Sequence, residues 1–139
     1  MKFRKLEKSA YPPQKANTFD AGWDLRAVHD AYVPAGERLA VGTGIALDVP
    51  QGYVGLIWPR SGLALFDGID ILGGVIDSGY HGEVKVIVQN HGQYGKNVAA
   101  GDKIAQILLQ EISLSGMHEV EDFGWKSARG ENSFGSTGR

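Results

Sequence analysis

Short runs of apolar and β-branched residues recur along the whole chain, separated by Gly, Pro, Asn and Asp, and helical periodicity is nearly absent. This punctuation is typical of short strands that are joined by turns. The pattern predicts strands at residues 3–5, 23–27, 31–33, 38–41, 44–47, 53–58, 69–72, 74–76, 83–90, 97–98 and 103–111. So many short strands in one domain indicate an all-β protein, a β-sandwich or jelly roll.

Two of these runs, at 54–58 and 104–109, are mostly apolar at every position, which indicates strands buried on both faces. The single predicted helix is a short turn at 61–66, with Ser61 as its N-cap. From about residue 119 the chain has few apolar anchors and no strand pattern. We therefore expect one domain, with a β body at 1–118 and a mobile C-terminal arm at 119–139.

Composition narrows the class of protein further. Gly supplies 20 of the 139 residues, about twice its usual share, which favours many tight turns. Because the chain has no Cys and its four His show no ligand spacing, we expect neither disulfides nor a zinc site. The net charge of −2 is spread along the sequence and predicts no general affinity for nucleic acid. With no long apolar stretch and no signal-peptide pattern, we expect a soluble cytoplasmic protein without membrane contact.

Two polar residues interrupt apolar strands. Asp24 stands in AGWDLRA, residues 21–27, and a carboxylate inside a strand must be exposed, paired or liganded. An outward-facing Asp on a half-buried strand is the more common explanation; the functional alternative is a carboxylate directed at a metal ion or its water shell. For Gln106 in GDKIAQI, residues 101–107, the stronger explanation is one polar side chain at the solvated edge of a strand.

The stretch WPRSGLA, residues 58–64, has the makings of an anion site. Arg60 offers a forked cation, Ser61 offers a hydroxyl, and Gly62 lets its backbone N–H approach a ligand closely. If a helical turn begins here, its free N–H groups point at the same place. An ordinary capped helix start with a surface Arg explains the local sequence equally well.

The stretch GGVIDSGYHGE, residues 73–83, predicts a hairpin that presents Asp77 and Tyr80 at its mouth, before a second strand at 83–90. An Asp-Ser-Gly turn is common turn chemistry. The functional alternative is a general base at the rim of a pocket floored by Tyr80. The adjacent Gly73 and Gly74 favour this alternative slightly, because they leave the backbone bare where a ligand can approach.

The last stretch, RGENSFGSTGR at residues 129–139, has the spacing of a phosphate-binding loop. A P-loop, however, carries Lys where Ser136 stands and is followed by a helix. A flexible chain end explains the composition equally well.

In their order and spacing, these five stretches together resemble the five motifs of the trimeric dUTPases, over residues 21–139. The resemblance implies jelly-roll (β-clip) subunits in a homotrimer with three active sites, each built from three chains. It also implies that the C-terminal arm closes over the nucleotide in a neighbouring subunit. The implied reaction is Mg²⁺-dependent hydrolysis of dUTP to dUMP and pyrophosphate, which keeps uracil out of DNA and supplies dUMP for thymidylate synthesis.

The resemblance also assigns roles to the reacting groups. Asp24 is expected to hold the waters of a Mg²⁺ ion on the triphosphate, since one carboxylate suffices for an ion that keeps several waters. Asp77 is expected to be the general base for a water that attacks the α-phosphorus. Tyr80 is expected to lie under the deoxyribose and to exclude a 2′-hydroxyl by a steric clash.

The resemblance divides the expected substrate-binding residues among three parts of the nucleotide. The phosphates are expected to contact Arg60, Ser61, Gly62 and Gln106. The uracil edge is expected to pair with backbone groups of the segment from Gly74 through Val75, Ile76 and Asp77 to Lys85. In the arm, Phe134 is expected to stack on uracil, and the γ-phosphate end is expected to bind Arg129, Gly135, Ser136 and Thr137. Asn132 and Ser133 depart from the glycine pair that is common in this motif.

Two other functions are considered. The dCTP deaminases share the implied fold but carry a Glu late in the strand that follows the third motif, whereas VKVIVQN at residues 84–90 has no acid. The chain could also be a non-catalytic β module that binds nucleotides or a regulatory partner. Such a module would not need Asp77.

Overall fold

The computed structural model describes residues 1–128 and 130–131, and these residues form eleven strands and one short helix. The all-β prediction is therefore confirmed. The strands are β1 (Lys2–Lys5), β2 (Trp23–Arg26), β3 (Ala31–Val33), β4 (Arg38–Gly42), β5 (Ile45–Asp48), β6 (Tyr53–Trp58), β7 (Ile69–Leu72), β8 (Val75–Ile76), β9 (Lys85–Asn90), β10 (Lys96–Val98) and β11 (Lys103–Glu111), and the helix α1 (Ser61–Asp67) lies between β6 and β7.

Every strand pairing in the described residues is antiparallel. The largest sheet has the order β2-β11-β6-β8, and a second sheet has the order β4-β9-β7. Two smaller sheets pair β1 with β5 and β10 with β3. Because β11 lies between β2 and β6, it brings together three segments that are distant in sequence.

The core is formed by branched aliphatic side chains from nearly every strand. Strand β9 shows the underlying period of two, since Val86 and Val88 are fully buried whereas Lys85 before them and Ile87 between them are exposed. The predicted burial of β6 and β11 on both faces is correct only in part. Their middle residues are buried, but Trp58 at the end of β6 remains 55% exposed.

The predicted N-cap of the helix is wrong. Arg60 occupies that position, with an extended backbone (φ −94°, ψ 131°) and no capping bond from its side chain, and Ser61 is the first helical residue. The helix begins directly after Pro59 ends β6, so the change from extended to helical backbone falls on Arg60. The helix is followed by Gly68 as its C-cap, in a left-handed conformation (φ 67°) that glycine adopts readily. A side chain at Gly68 would also clash, because the backbone N of Gly92 lies close by.

The predicted hairpin between residues 74–76 and 83–90 is also wrong. Strand β8 pairs with β6, whereas β9 pairs with β4 and β7, so the two strands belong to different sheets. The antiparallel partners are instead β7 and β9, with Leu72 opposite Ile87. Asp77 and Tyr80 therefore lie in the long segment that connects β7 to β9. This segment also contributes the short strand β8 to the larger sheet.

After Glu111 the described residues contain no further strand or helix, and those at 112–128 are exposed. In residues 1–128 and 130–131 no helix is long and apolar enough to span a membrane. The division into a β body and an arm, and the mobility of that arm, remain predictions.

Candidate active site

Asp24 is held in place by its own backbone and by two cations. Its strand lies beside β11, and its backbone N–H donates to the carbonyl of Gln14 at 2.8 Å on the other side. One carboxylate oxygen lies 3.1 Å from Nε of Arg60 and the other lies 2.6 Å from Nζ of Lys103. The side chain is only 13% exposed. The interpretation of Asp24 as an outward-facing surface residue is therefore wrong, because the carboxylate is enclosed and paired.

Asp24 opens onto a cavity of about 370 Å³, here called the Arg60 cavity. The residues that line it come from the loop before β2, from β2 itself, from the junction of β6 and α1, and from β11. They are Ala16, Asp20, Ala21, Gly22, Asp24, Arg60, Ser61, Gly62, Leu63 and Gln106. The structure thus brings together the predicted metal-binding residue and all four predicted phosphate-binding residues of the chain body.

Gln106 is fixed within this cavity. It lies on the central strand β11, directly opposite Asp24 on one side and Trp58 on the other, so its placement at the solvated edge of a strand is wrong. Its side-chain N–H donates to the carbonyl of Pro59 at 3.0 Å. A side chain at Gly22 would clash with the Gln106 amide, because its Cβ would lie 2.5 Å from Oε1 of Gln106. Gly22 therefore makes room for the amide at the cavity wall.

A second cavity, of about 520 Å³ and here called the Asp77 cavity, contains the residues of the third predicted motif. Its lining is Ile57, Leu72, Gly73, Gly74, Val75, Ile76, Asp77, Tyr80, Glu83, Lys85 and Ile87. In the single chain Asp77 is exposed, directly after β8. Its carbonyl accepts a hydrogen bond from the backbone N–H of Tyr80 at 3.2 Å, and the Tyr80 hydroxyl donates to the carbonyl of Glu83 at 2.9 Å. These two bonds fix the Tyr80 ring and the Asp77 backbone on one turn.

The two glycines of this motif differ in what surrounds them, although both have a positive φ (74° and 78°). A Cβ on Gly74 would lie 2.8 Å from the carbonyl oxygen of Ile57, whose N–H in turn donates to the Gly74 carbonyl at 2.7 Å. A Cβ on Gly73 would meet nothing closer than 3.5 Å. The close backbone approach that Gly74 permits is thus to the chain's own strand β6.

The two cavities are too far apart within one chain to share a ligand's phosphates. Val75 lies opposite Leu56, four positions before Arg60, and Asp77 follows Val75 in the opposite direction. About six extended residues therefore separate Asp77 from Arg60, which corresponds to about 20 Å. A catalytic base must lie within hydrogen-bonding distance of its target or within one water of it. At a separation of about 20 Å, Asp77 and Arg60 of one chain are not placed to act on the same phosphate group.

Sequence reasoning missed several residues at both cavities. Lys103 lies three positions before Gln106 in a motif that had been identified, but nothing in the local sequence connects it to Asp24. Glu83 of the Asp77 cavity accepts a hydrogen bond from the backbone N–H of Gly44 at 3.0 Å. The predicted residues Arg129, Phe134, Gly135, Ser136 and Thr137 lie outside the described residues.

Comparisons with known proteins agree with this geometry. The sequence model of the dUTPase family matches residues 8–138, which is nearly the whole chain. The chain belongs to the dUTPase family. Among its relatives, the deoxyuridine 5′-triphosphate nucleotidohydrolase of Paramecium bursaria Chlorella virus 1 is 46% identical over 138 residues, covering 97% of this chain and 95% of the relative. The corresponding enzyme of Helicobacter hepaticus is 41% identical over 140 residues, covering 99% of this chain and 88% of the relative.

Solved structures of dUTPases share this fold. A mutant dUTPase of Staphylococcus bacteriophage 80alpha with bound dUpNHpp superposes with a TM-score of 0.94 at 28% identity, over 99% of this chain and 98% of that one. A mutant dUTPase from phage phi11 of S. aureus, whose structure reveals the coordination of a structural Mg(II) ion, superposes with a TM-score of 0.84 at 25% identity, over 89% of this chain and 98% of that one. The jelly-roll-like fold predicted for this chain is thereby confirmed.

Proposed function

We propose that this protein is a dUTP diphosphatase, which hydrolyses dUTP to dUMP and pyrophosphate in the cytoplasm. The observation that carries this function is the family match over residues 8–138, within which the motif residues line two cavities of suitable chemistry. One cavity presents the Arg60 guanidinium, a hydroxyl and backbone N–H groups, which suit phosphates. The other presents a carboxylate, an aromatic ring and bare backbone, which suit a nucleoside and a general base.

The complete site is formed between chains, in a homotrimer. The separation of about 20 Å between Asp77 and Arg60 within one chain supports this assembly. When the Asp77 cavity of one subunit faces the Arg60 cavity of a neighbour, one nucleotide can contact both. The distance thus supports a site that is shared between chains, and the number of three chains rests on the resemblance to the dUTPase family.

The Arg60 cavity binds the triphosphate. The Arg60 guanidinium offers further N–H donors besides Nε, the atom that contacts Asp24, and Ser61 and Gly62 offer a hydroxyl and backbone N–H groups at the free start of α1. Gln106, which is fixed by the carbonyl of Pro59, presents the remainder of its amide to the same space. These groups hold the phosphates in one orientation, so the α-phosphorus faces the attacking water.

The residues of the Arg60 cavity fit a magnesium ion that arrives with the triphosphate. In the described part of the chain no three acidic or histidine side chains cluster as metal ligands. Asp24 presents a single carboxylate, and Mg²⁺ in nucleotide sites typically combines phosphate oxygens and waters with one or two carboxylates. Asp24 would hold the waters of the ion. The bound ion would offset negative charge on the phosphates as pyrophosphate leaves.

Asp77 acts as the general base. It lies on a turn that is fixed by the Tyr80 N–H, and its side chain is free to face a neighbouring subunit. It accepts a proton from a water as that water's oxygen bonds to the α-phosphorus. The bond from the α-phosphorus to the bridging oxygen breaks, and pyrophosphate leaves with the electron pair.

Selection of the deoxyribose and uracil falls to the rest of the Asp77 cavity. Tyr80 is held by its hydroxyl and therefore cannot move aside for a 2′-hydroxyl. Backbone groups from Gly74 through Val75 and Ile76 pair with the uracil edge, and Lys85 lies at the same wall. A base with the wrong donors and acceptors leaves these groups unpaired, which is a strong source of discrimination.

The arm completes the site in this proposal. Phe134 stacks on uracil, and the γ-phosphate end is bound by Arg129, Gly135, Ser136 and Thr137, which are expected to come from a third subunit. Closure of such an arm excludes water and adds positive charge where the leaving group becomes negative.

The test is pyrophosphate release in the presence of Mg²⁺ from dUTP, dTTP, dCTP and UTP, measured side by side. We expect kcat/KM for dUTP to exceed that for each other nucleotide by at least about a hundredfold. The dCTP reaction is also analysed for uracil products, because the related deaminases would form them. Equal rates with all four nucleotides, or deamination of dCTP, would contradict the proposed function.

A further inference from the structure

Two cations contact the carboxylate of Asp24. Its two oxygens are each paired, one with Arg60 and the other with Lys103 at 2.6 Å. One negative charge is therefore flanked by two positive charges, and the Asp24 side chain is 13% exposed whereas those of Arg60 and Lys103 are 35% and 31% exposed. A cation on each oxygen therefore holds the carboxylate in one orientation.

A bulge in β11 creates the contact with Lys103. Gln106 lies opposite Asp24 and Ala105 lies opposite Leu25, but Lys103 lies opposite Arg26, so one extra residue stands in β11. Side chains alternate between faces, and residues three apart in a regular strand point to opposite faces. The extra residue shifts this phase, which places Lys103 on the same face as Asp24. Bulges that redirect a side chain in this way are common beside active sites.

From these observations we propose that Lys103 is a positioning residue for Asp24. Its ammonium fixes the second carboxylate oxygen, so the orientation that faces the Arg60 cavity is retained when Arg60 turns to the phosphates. This inference rests on the proposed function, since it needs a triphosphate in the Arg60 cavity.

The test measures binding rather than turnover. The probe is dUpNHpp, a non-hydrolysable dUTP analogue, titrated calorimetrically with and without Mn²⁺ in place of Mg²⁺. We define the metal advantage as the dissociation constant measured without Mn²⁺ divided by the dissociation constant measured with Mn²⁺. For Lys103→Met we expect this ratio to fall about tenfold, the usual cost of losing a group that orients a metal ligand. Lys103→Arg, which keeps a cation at the same place, should retain most of it.

The chain offers a matched control. The side chains of Lys96 and Lys103 are equally exposed (31%). Both residues line a third cavity, which neighbours the Arg60 cavity, and Lys96 pairs with Asp67 at 2.8 Å. Lys96→Met therefore removes an equivalent ion pair without touching Asp24, and its metal advantage should equal that of the wild type. Thermal unfolding of each variant reports any loss of stability separately.

A double-mutant cycle shows whether Lys103 acts through Asp24. Asp24→Asn should itself remove the metal advantage, and adding Lys103→Met to it should change nothing further, because the residue it positions is gone. Additive losses, or an unchanged advantage in Lys103→Met while the wild type shows one, overturn this inference alone. If the wild-type protein does not bind dUpNHpp at all, the proposed function fails and this inference fails with it.

Discussion

Mixing two inactive variants tests whether the site is shared between chains. Arg60→Ala damages only the Arg60 cavity, and Asp77→Asn damages only the Asp77 cavity. Each variant alone should lose about a hundredfold or more in kcat, since each lacks a group that acts on the reacting phosphates. Because about 20 Å separates the two residues within a chain, a working site needs Arg60 from one subunit and Asp77 from another.

The arithmetic of random assembly gives the expected magnitude. In trimers formed from equal amounts of both variants, a site has an intact Arg60 in about one half of cases and, independently, an intact Asp77 in about one half. About one quarter of all sites are therefore complete. Homotrimers of either variant, about one quarter of the trimers, contain no complete site, so mixed trimers freed of them should regain about one third of wild-type activity. If both residues served a site within one chain, every site would carry one defect and nothing would be regained.

The assay is pyrophosphate release from dUTP by co-expressed variants that carry different affinity tags, with the trimers purified through both tags in sequence. The matched control mixes Arg60→Ala with Asp24→Asn, which damage the same cavity. Every site in that mixture takes its Arg60 cavity from one subunit and so lacks one of the two groups. Activity in the control above that of the two variants measured separately, or no gain in the Arg60–Asp77 mixture, would refute the shared-site geometry.

Three further outcomes are expected. Asp77→Asn should lose about a hundredfold or more in turnover, because the amide keeps the shape of the base but accepts no proton, while the affinity for dUpNHpp, measured calorimetrically, stays within about threefold of wild type. Unchanged turnover would remove the assignment. Deletion of residues 126–139 should leave a folded trimer by light scattering with very poor dUTP hydrolysis, since the described residues after Glu111 make no strand; full activity would show that the arm is dispensable. Gly73→Ala should lower the free energy of unfolding by about 1–2 kcal/mol because Gly73 has a positive φ. Gly74→Ala should lower it by at least about 1 kcal/mol more, because its Cβ would lie 2.8 Å from the Ile57 carbonyl oxygen. Equal urea-unfolding midpoints of the two variants would show that this contact relaxes.

Strand positions were predictable from the sequence because they depend on local pattern. The alternation of apolar and polar residues in β9 and the glycine punctuation of the turns are visible within a few neighbouring positions. The five motifs could be recognised for the same reason, since each is a short contiguous stretch. Only the ends of elements differed, as at Arg60, where the helix N-cap depends on how β6 terminates.

The partners of those strands were not predictable in the same way. Consecutive strands with a turn between them predict a hairpin, yet β8 pairs with β6 and β9 pairs with β7. Pairing depends on which edges and apolar faces meet in the folded chain, and these contacts join residues far apart in sequence. The sequence alone thus placed Asp77 correctly on a turn but assigned that turn to the wrong pair of strands.

The sequence by itself determined the all-β class, the position of most strands and the identity of the motif residues, because each of these depends on short-range pattern. Tertiary structure decided what those residues contact. It enclosed Asp24 between Arg60 and Lys103, placed Gln106 on a central strand, and left Arg60 and Asp77 in separate cavities. A one-residue bulge and the order of strands in a sheet produce these arrangements, and both are set by long-range packing that no local stretch encodes.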